Sequence, residues 1–198
     1  MTASGKILKR IERRGPGFVF TAMDFLDIAS RAAVDQTLTR LARRSVIRRL
    51  SRGLYDYPKT SQRLGLLSPP PAVVANAVAR QTGSKIQISG ARAANALGLT
   101  DQVPAKIVYL TDGPSRTIEI GNQRIVLRHV SKRNLAGLGR SSGTVLQALR
   151  YLGKDNVTNA TIDKLRSLLS ASEKKMIHHD AVHASGWMRE VAQQIAAA

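Results

Sequence analysis

Cysteine is absent from this sequence of 198 residues. Without thiols the chain cannot build a disulfide framework, a thiolate zinc site or an iron–sulfur cluster, and it has no cysteine nucleophile. Long apolar runs are missing too, since no stretch approaches the roughly 18 consecutive apolar residues that a membrane-spanning helix needs. The first residues also lack the apolar core of a secretory signal. We therefore expect a cytoplasmic protein with no membrane partner.

Acidic residues are scarce. The chain has 13 Asp and Glu against 31 Lys and Arg, which gives a formal net charge of +18. Such a surplus attracts polyanions, and neutralising DNA phosphates releases condensed counterions. We therefore expect nucleic acid as the partner. Two alternatives remain: a basic surface that only keeps the protein in solution, and one that meets an acidic partner protein.

The first 44 residues carry the periodicity of three helices. Residues Ala3 to Arg14 place Ile7, Leu8 and Ile11 on one face of an amphipathic helix. Thr21 and Asp24 resemble a capping box, which predicts a short helix over residues 21–28. Ser30 is a natural N-cap for a third helix that runs to about Arg44.

Two β-prone runs follow these helices. Residues 46–50 and 54–58 flank Ser51, Arg52 and Gly53, which is the pattern of a β-hairpin. Three helices and a hairpin in fewer than 60 residues are typical of a winged helix-turn-helix. We predict this DNA-binding domain over residues 1–58.

Three consecutive prolines close the next segment, so residues 59–71 are predicted to be a linker. The remaining residues, 72–198, show strand patterns first, including a hairpin around Gly121 and Asn122, and helical patterns from Ser142 onward. The predicted fold class is α+β: an N-terminal winged helix-turn-helix and a mixed α/β C-terminal domain that ends in a helical bundle.

The third helix and the hairpin hold a dense group of arginines. Six of the thirteen residues from Arg40 to Arg52 are arginine, and none is acidic. The planar guanidinium suits both phosphate oxygens and the paired acceptors of guanine. If Val34, Leu38 and Leu41 face the core, the opposite face is free to enter a groove. The predicted DNA-binding residues are Arg31, Gln36, Thr39, Arg40, Arg43, Arg44, Arg48, Arg49 and Arg52.

These residues are expected to have different roles. Arg31 and Gln36 lie near the start of the recognition helix and are predicted to read base edges, together with Thr39 and Arg40. Arg43 and Arg44 are predicted to bind phosphates. The wing residues Arg48, Arg49 and Arg52 are predicted to contact the backbone or the minor groove. Asp35 would repel phosphate unless it pairs with Arg31 or accepts from a cytosine amino group. The alternative is a basic face that is merely solvated.

Other groups give weaker signals. His179 and His183 have the i, i+4 spacing of a metal-binding pair, but no HExxH motif accompanies them. The glycine-rich residues 137–143 lack a Walker lysine and predict a flexible turn. Asp101, Asp112 and Glu119 are too scattered to suggest a two-metal nuclease centre. We expect no catalytic residue, no metal and no cofactor, so the chain is not predicted to be an enzyme.

Several motifs resemble a known family, the AbiEi-like antitoxins of type IV toxin–antitoxin (abortive infection) systems. The likeness rests on residues 31–41, on residues 47–58 ending in Gly-Leu-Tyr-Asp-Tyr-Pro, on residues 90–104, and on Tyr-Leu-Thr-Asp-Gly at residues 109–113. It extends over nearly the whole chain.

This resemblance implies a transcriptional regulator that binds inverted repeats in its own promoter through the winged helix and represses it. It also implies a C-terminal antitoxin domain that neutralises a nucleotidyltransferase-like toxin, either without a stable complex or by direct binding as in related pairs. Residue patterns alone leave two other hypotheses open: a nucleic-acid-processing enzyme that depends on Asp101 or Asp112, and an interaction module that docks an acidic partner.

Overall fold

The computed structural model describes residues 2–197, apart from the side chains of residues 132 and 133. It shows the predicted α+β fold class, with a helical stretch at the C-terminal end. The chain divides into two compact units. The first comprises Met1–Ser84 with Thr117–Ile125, and the second comprises Lys85–Arg116 with Val126–Ala198.

The first unit begins with the element order of a winged helix-turn-helix. Its elements are α1 (Ala3–Arg14), β1 (Val19–Thr21), a 3-10 helix (Ala22–Phe25), α2 (Arg31–Arg43), β2 (Arg48–Ser51) and β3 (Leu54–Asp56). The three strands form an antiparallel sheet in the order β1-β3-β2. The predicted first helix, the predicted helix after Ser30 and the predicted hairpin are confirmed as secondary structure.

Local capping explains where these helices begin. The Thr2 hydroxyl accepts a hydrogen bond from the Gly5 N–H at the start of α1, and the Ser30 hydroxyl accepts from Ala33 at the start of α2. The predicted capping box is also present, with the Thr21 N–H donating to the Asp24 carboxylate at 2.8 Å. It opens a single 3-10 helix rather than a helix over residues 21–28, and turns occupy the remaining positions.

Phe20 lies at the centre of the winged-helix core. Its ring stacks with Phe18 and Tyr55 and meets Phe25 edge-on at 5.4 Å. The predicted apolar faces of α1 and α2 pack around it, and the buried members are Ile7, Ile11, Val34, Leu38 and Leu41. The opposite face of each helix is therefore left at the surface.

The compact unit continues past the predicted linker at residues 59–71. This segment holds a two-stranded hairpin, β4 (Thr60–Ser61) and β5 (Gly65–Leu66), and is followed by α3 (Pro71–Gln81). Helix α3 belongs to the first unit because Arg80 donates to the Val19 carbonyl at 2.9 Å and to the Asp24 carboxylate at 3.1 Å. The division between the units follows Ser84, whereas the sequence places the domain boundary at the prolines.

Strands precede helices in the rest of the chain, as predicted. A four-stranded sheet has the order β6-β7-β9-β8, and the turn between β8 and β9 is the predicted Gly121-Asn122. The elements are β6 (Ile86–Ile88), α4 (Gly90–Ala96), β7 (Ile107–Thr111), β8 (Arg116–Ile120), β9 (Gln123–His129), α5 (Ser141–Leu152), α6 (Asn159–Leu168), α7 (Ala171–Asp180) and α8 (Gly186–Ala196), with 3-10 helices at Lys132–Leu135, Lys154–Asn156 and Ala181–His183.

The glycine-rich residues 137–143 form a packed turn at the start of α5. A Cβ on Gly143 would lie 2.2 Å from the Gly137 carbonyl oxygen, so the backbone at this approach has no room for a side chain. The Gln87 side chain holds the turn, accepting from the Gly139 N–H at 2.9 Å and donating to Thr144 at 2.9 Å. Gly137 and Gly143 are therefore required for close packing, where the sequence suggested flexibility.

A buried carboxylate joins two of the C-terminal helices. Asp180, at the end of α7, accepts a 2.6 Å hydrogen bond from the fully buried Ser142 hydroxyl in the first turn of α5. Arg140 and His179 also contact this carboxylate, each at 3.2 Å. Burial raises the pKa of Asp180, but the hydrogen bonds from Ser142 and His179 and the charge of Arg140 outweigh it, so the pKa is lowered overall.

No helix within residues 2–197 combines the length and the apolar character needed to cross a membrane.

Candidate nucleic-acid interface

The outer face of α2 is exposed along its whole length. Because Val34, Leu38 and Leu41 are buried in the core, the predicted base-reading and phosphate-binding positions point away from it. The exposed residues of this face are Arg31, Asp35, Gln36, Thr39, Arg40 and Arg43. The structure thus places the five predicted DNA-binding residues from Arg31 to Arg43 on one helical surface.

The N-terminal half of this face contains one ion pair. Arg31 Nε donates to the Asp35 carboxylate at 2.8 Å, which is the i, i+4 pairing that the sequence offered as an explanation for Asp35. The Thr39 hydroxyl donates to the Asp35 carbonyl at 2.8 Å. Within residues 2–197, the Gln36 amide makes no hydrogen bond and remains available to a ligand.

Arg40 is linked to the first helix. Its guanidinium donates to the Ser4 hydroxyl of α1 at 3.2 Å, and the side chain is otherwise exposed. Since a guanidinium has five N–H donors, this one bond leaves most of its capacity for base or phosphate oxygens.

The C-terminal end of α2 presents two further arginines. Arg43 and Arg44 are exposed, and neither side chain has an ion pair or hydrogen bond in the described part of the chain. Ser45 has a positive φ of 57°, and the Val46 N–H returns to the Leu41 carbonyl at 3.1 Å, so a Schellman-type turn ends the helix. This turn leads the chain directly from α2 into the β2–β3 hairpin.

The wing is a short hairpin whose arginines face in two directions. Arg49 on β2 and Arg52 at the turn are exposed and unpaired among the described residues. Gly53, at φ 74°, takes the left-handed conformation that the turn needs. Arg49 and Arg52 are therefore two further exposed arginines, on the hairpin that follows α2.

Arg48 differs from its neighbours because it is held within the protein. It lies opposite Asp56 across the hairpin, and its Nε and Nη2 donate to the two Asp56 carboxylate oxygens. Nη2 also donates to the Leu67 carbonyl at 2.9 Å. The Asp56 side chain is only 2% exposed and that of Arg48 is 27% exposed, so the carboxylate is largely removed from water. Sequence reasoning missed this pairing, although the cross-strand position of Asp56 is a signal that could have revealed it.

The acidic residues considered for catalysis are not gathered into one site. Asp112 accepts from the Lys85 N–H at 2.8 Å, and Glu119 lies 3.8 Å from Arg124. In the part of the chain that the structure describes, no three His, Asp or Glu side chains are grouped so that they could hold a metal ion.

Comparisons with known proteins give one family and one distant structure. The sequence model of DUF6088, a family of unknown function, matches residues 6–177. No curated protein matches the chain. The solved structure of the RV2827C protein from Mycobacterium tuberculosis is similar at 13% sequence identity, with a TM-score of 0.44, over 98% of this chain and 76% of that one. The family match spans most of the sequence, and the chain therefore belongs to DUF6088.

Proposed function

We propose that this chain binds double-stranded DNA, with α2 in the major groove and the wing on the adjacent backbone. The main support for this proposal is a set of four exposed arginines. None of them has an ion pair or hydrogen bond among residues 2–197, and they are Arg43, Arg44, Arg49 and Arg52. Arg43 and Arg44 lie at the C-terminal end of α2, and Arg49 and Arg52 lie on the hairpin that follows it. In a winged helix-turn-helix, base edges are read from such a helix while neighbouring residues contact phosphates.

Within this proposal the residues divide by role. Gln36 is exposed and unpaired in the described chain, and its amide matches the N6 and N7 groups of adenine. Arg31 and Arg40 lie on the same face with one protein contact each and supply further donors to base edges. The Thr39 hydroxyl already donates its hydrogen to the Asp35 carbonyl, so it can only accept from a base. Arg43 and Arg44 bind phosphates, while Arg49 and Arg52 bind the backbone or the minor groove beside it. Arg48 contributes indirectly, because its hydrogen bonds to Asp56 hold β2 against β3.

Removing the two phosphate contacts is expected to weaken DNA binding. Arg43→Ala/Arg44→Ala should raise the Kd for a duplex covering the region upstream of the gene by about 100-fold or more, because each of the two charge-assisted hydrogen bonds contributes roughly 1.5–3 kcal/mol. Fluorescence anisotropy measures this change. Lys175→Ala/Arg189→Ala is a matched control, since it removes two exposed positive charges from α7 and α8. Equal losses in both double variants would refute a contact specific to α2.

Replacing the proposed base-reading amide is expected to relax sequence discrimination. For Gln36→Ala, the affinity difference between the preferred duplex and its single-base variants should fall by about 1–3 kcal/mol at one base pair. Affinity for non-specific duplex should stay the same, because an amide neutralises no phosphate. A set of single-base operator variants measures the effect. Uniform weakening on every duplex would contradict base reading by Gln36.

We also propose that DNA binding serves autorepression and that the chain is an antitoxin. Support for this part comes from the AbiEi-like motifs at residues 31–41, 47–58, 90–104 and 109–113. A neighbouring nucleotidyltransferase-like gene should stop growth when expressed alone and not when co-expressed with this chain.

The co-expression experiment, combined with a promoter reporter, separates DNA binding from toxin neutralisation. Arg43→Ala/Arg44→Ala should lose repression of a promoter reporter and keep full neutralisation of the toxin. Co-purification of the two proteins at moderate salt would identify direct binding. Growth arrest that co-expression does not relieve would contradict the antitoxin role and leave the DNA-binding proposal standing.

A further inference from the structure

The first unit has a second arginine-rich surface, separate from the candidate interface. A cleft of about 300 Å³ is lined by Arg10, Arg13, Arg14, Phe18, Asp24 and Arg80. These residues come from α1, the residue before β1, the 3-10 helix and α3, and none lies on α2 or the wing. Four guanidinium groups thus face a concave space that contains a single carboxylate.

Two of these guanidinium groups are fixed in place by the protein. Arg10 makes two 2.7 Å hydrogen bonds with the Asp27 carboxylate and a third, at 2.9 Å, with the Asp24 carbonyl. Arg80 is held by the Asp24 carboxylate and the Val19 carbonyl. Each keeps N–H donors beyond those it uses, because a guanidinium has five. Side chains held in this way lose little further freedom when a ligand binds.

The other two arginines supply unused donors. The Arg14 guanidinium lies over the Phe18 ring, 5.6 Å from its centroid, which orients the group without occupying its N–H bonds. Arg13 is exposed and has no ion pair or hydrogen bond within residues 2–197. Arg13 and Arg14 together have ten N–H donors that no protein group within residues 2–197 uses, and both residues line the cleft.

An adjoining cleft continues the positive surface along α1. It has a volume of about 470 Å³ and is lined by Lys6, Lys9, Arg10, Glu12, Arg13 and Ile28. Arg10 and Arg13 line both clefts, so the two adjoin along α1, and we refer to them together as the α1 groove. Positive side chains outnumber carboxylates throughout it.

We propose that this groove binds an oligophosphate group. Guanidinium groups pair with phosphate oxygens in a bidentate fashion, and several guanidiniums around one concave site suit a ligand with several adjacent phosphates. The cleft of about 470 Å³ has the volume of a small-molecule site, and the cleft of about 300 Å³ lies at the lower limit for such sites. The oligophosphate comes either from a free small molecule or from the backbone of a nucleic acid that passes along α1. Both sources present the same chemistry to the groove.

Calorimetric titration of the full chain with tripolyphosphate tests the site. Sodium sulfate at equal ionic strength controls for unspecific anion binding. Wild-type protein should bind tripolyphosphate more tightly than sulfate, and Arg13→Gln/Arg14→Gln should weaken tripolyphosphate binding by about 10-fold or more. Lys175→Gln/Arg189→Gln removes the same charge elsewhere and should bind as wild type does. Arg13 and Arg14 are exposed, so the fold should survive, which the unfolding midpoint checks.

Duplex binding by the same variants identifies the source. An unchanged duplex Kd for Arg13→Gln/Arg14→Gln, together with lost tripolyphosphate binding, assigns the groove to a free oligophosphate. A weaker duplex Kd, with a salt slope reduced by about two and displacement of DNA by tripolyphosphate, assigns it to a nucleic-acid backbone. The proposal is overturned if the variant binds both ligands as wild type does, or if wild type does not prefer tripolyphosphate to sulfate. Arg43→Ala/Arg44→Ala tests the α2 surface separately, so either proposal can fail alone.

Discussion

Arg48→Ala is expected to lower the free energy of unfolding by about 3–5 kcal/mol, the usual cost of removing one partner from a buried ion pair. The variant leaves the Asp56 carboxylate, 2% exposed, without its counter-charge. It also deprives the Leu67 carbonyl of its donor. Chemical unfolding by urea, followed by circular dichroism, measures the loss.

Three further variants separate this effect from the loss of a surface charge. Arg49→Ala, the exposed neighbour on β2, should change stability by no more than about 0.5 kcal/mol. Arg48→Ala/Asp56→Ala should recover part of the loss, because no unpaired carboxylate is then buried. Arg48→Lys should recover little, since an ammonium cannot reproduce the two-pronged contact. If Arg48→Ala proved as stable as Arg49→Ala, the structural role of Arg48 would be wrong.

Asp180→Ala is expected to lower the free energy of unfolding by about 2–4 kcal/mol. The change removes charge-assisted hydrogen bonds and leaves the Ser142 hydroxyl buried without a partner. The join between the end of α7 and the start of α5 should therefore loosen. Asp180→Asn keeps an acceptor for Ser142 and should cost less than Asp180→Ala.

The stabilising effect of Asp180 should depend on pH. Because its pKa in the folded chain is lower than its ordinary value of 3.8, the carboxylate stabilises the fold fully above that value and loses this effect as the pH falls through the folded pKa. The stability difference between wild type and Asp180→Asn should thus be constant near neutral pH and shrink below about pH 4. Urea unfolding across this range measures it. A difference that grows on acidification would contradict the lowered pKa.

Local signals in the sequence were enough to predict most of the winged helix. The bounds of α1, the Ser30 N-cap of α2 and the burial of Val34, Leu38 and Leu41 all follow from capping chemistry and from a period of 3.6 residues. Exposure of the opposite face of α2 follows from the same period. The candidate surface from Arg31 to Arg43 was therefore predictable without tertiary information.

Features that depend on contacts distant in sequence were not predictable in this way. Arg48 and Arg49 are adjacent and chemically identical, and only the register of β2 against β3 decides that Arg48 meets Asp56. Arg80 ties α3 to the first unit across more than 50 residues, whereas the prolines before α3 suggested a boundary. The groove along α1 likewise needs Arg80 to come close to Arg10 and Arg14, which no local pattern indicates.

The salt dependence of duplex binding tests the central claim most directly. Each phosphate contact contributes about 0.9 to the slope of log K against log salt concentration. Wild type should show a steep slope, and Arg43→Ala/Arg44→Ala/Arg49→Ala/Arg52→Ala should show one that is smaller by about three to four. Lys175→Ala/Arg189→Ala should keep the wild-type slope. If the fourfold variant binds duplex DNA with the wild-type slope and affinity, α2 and the wing do not form the DNA-binding surface.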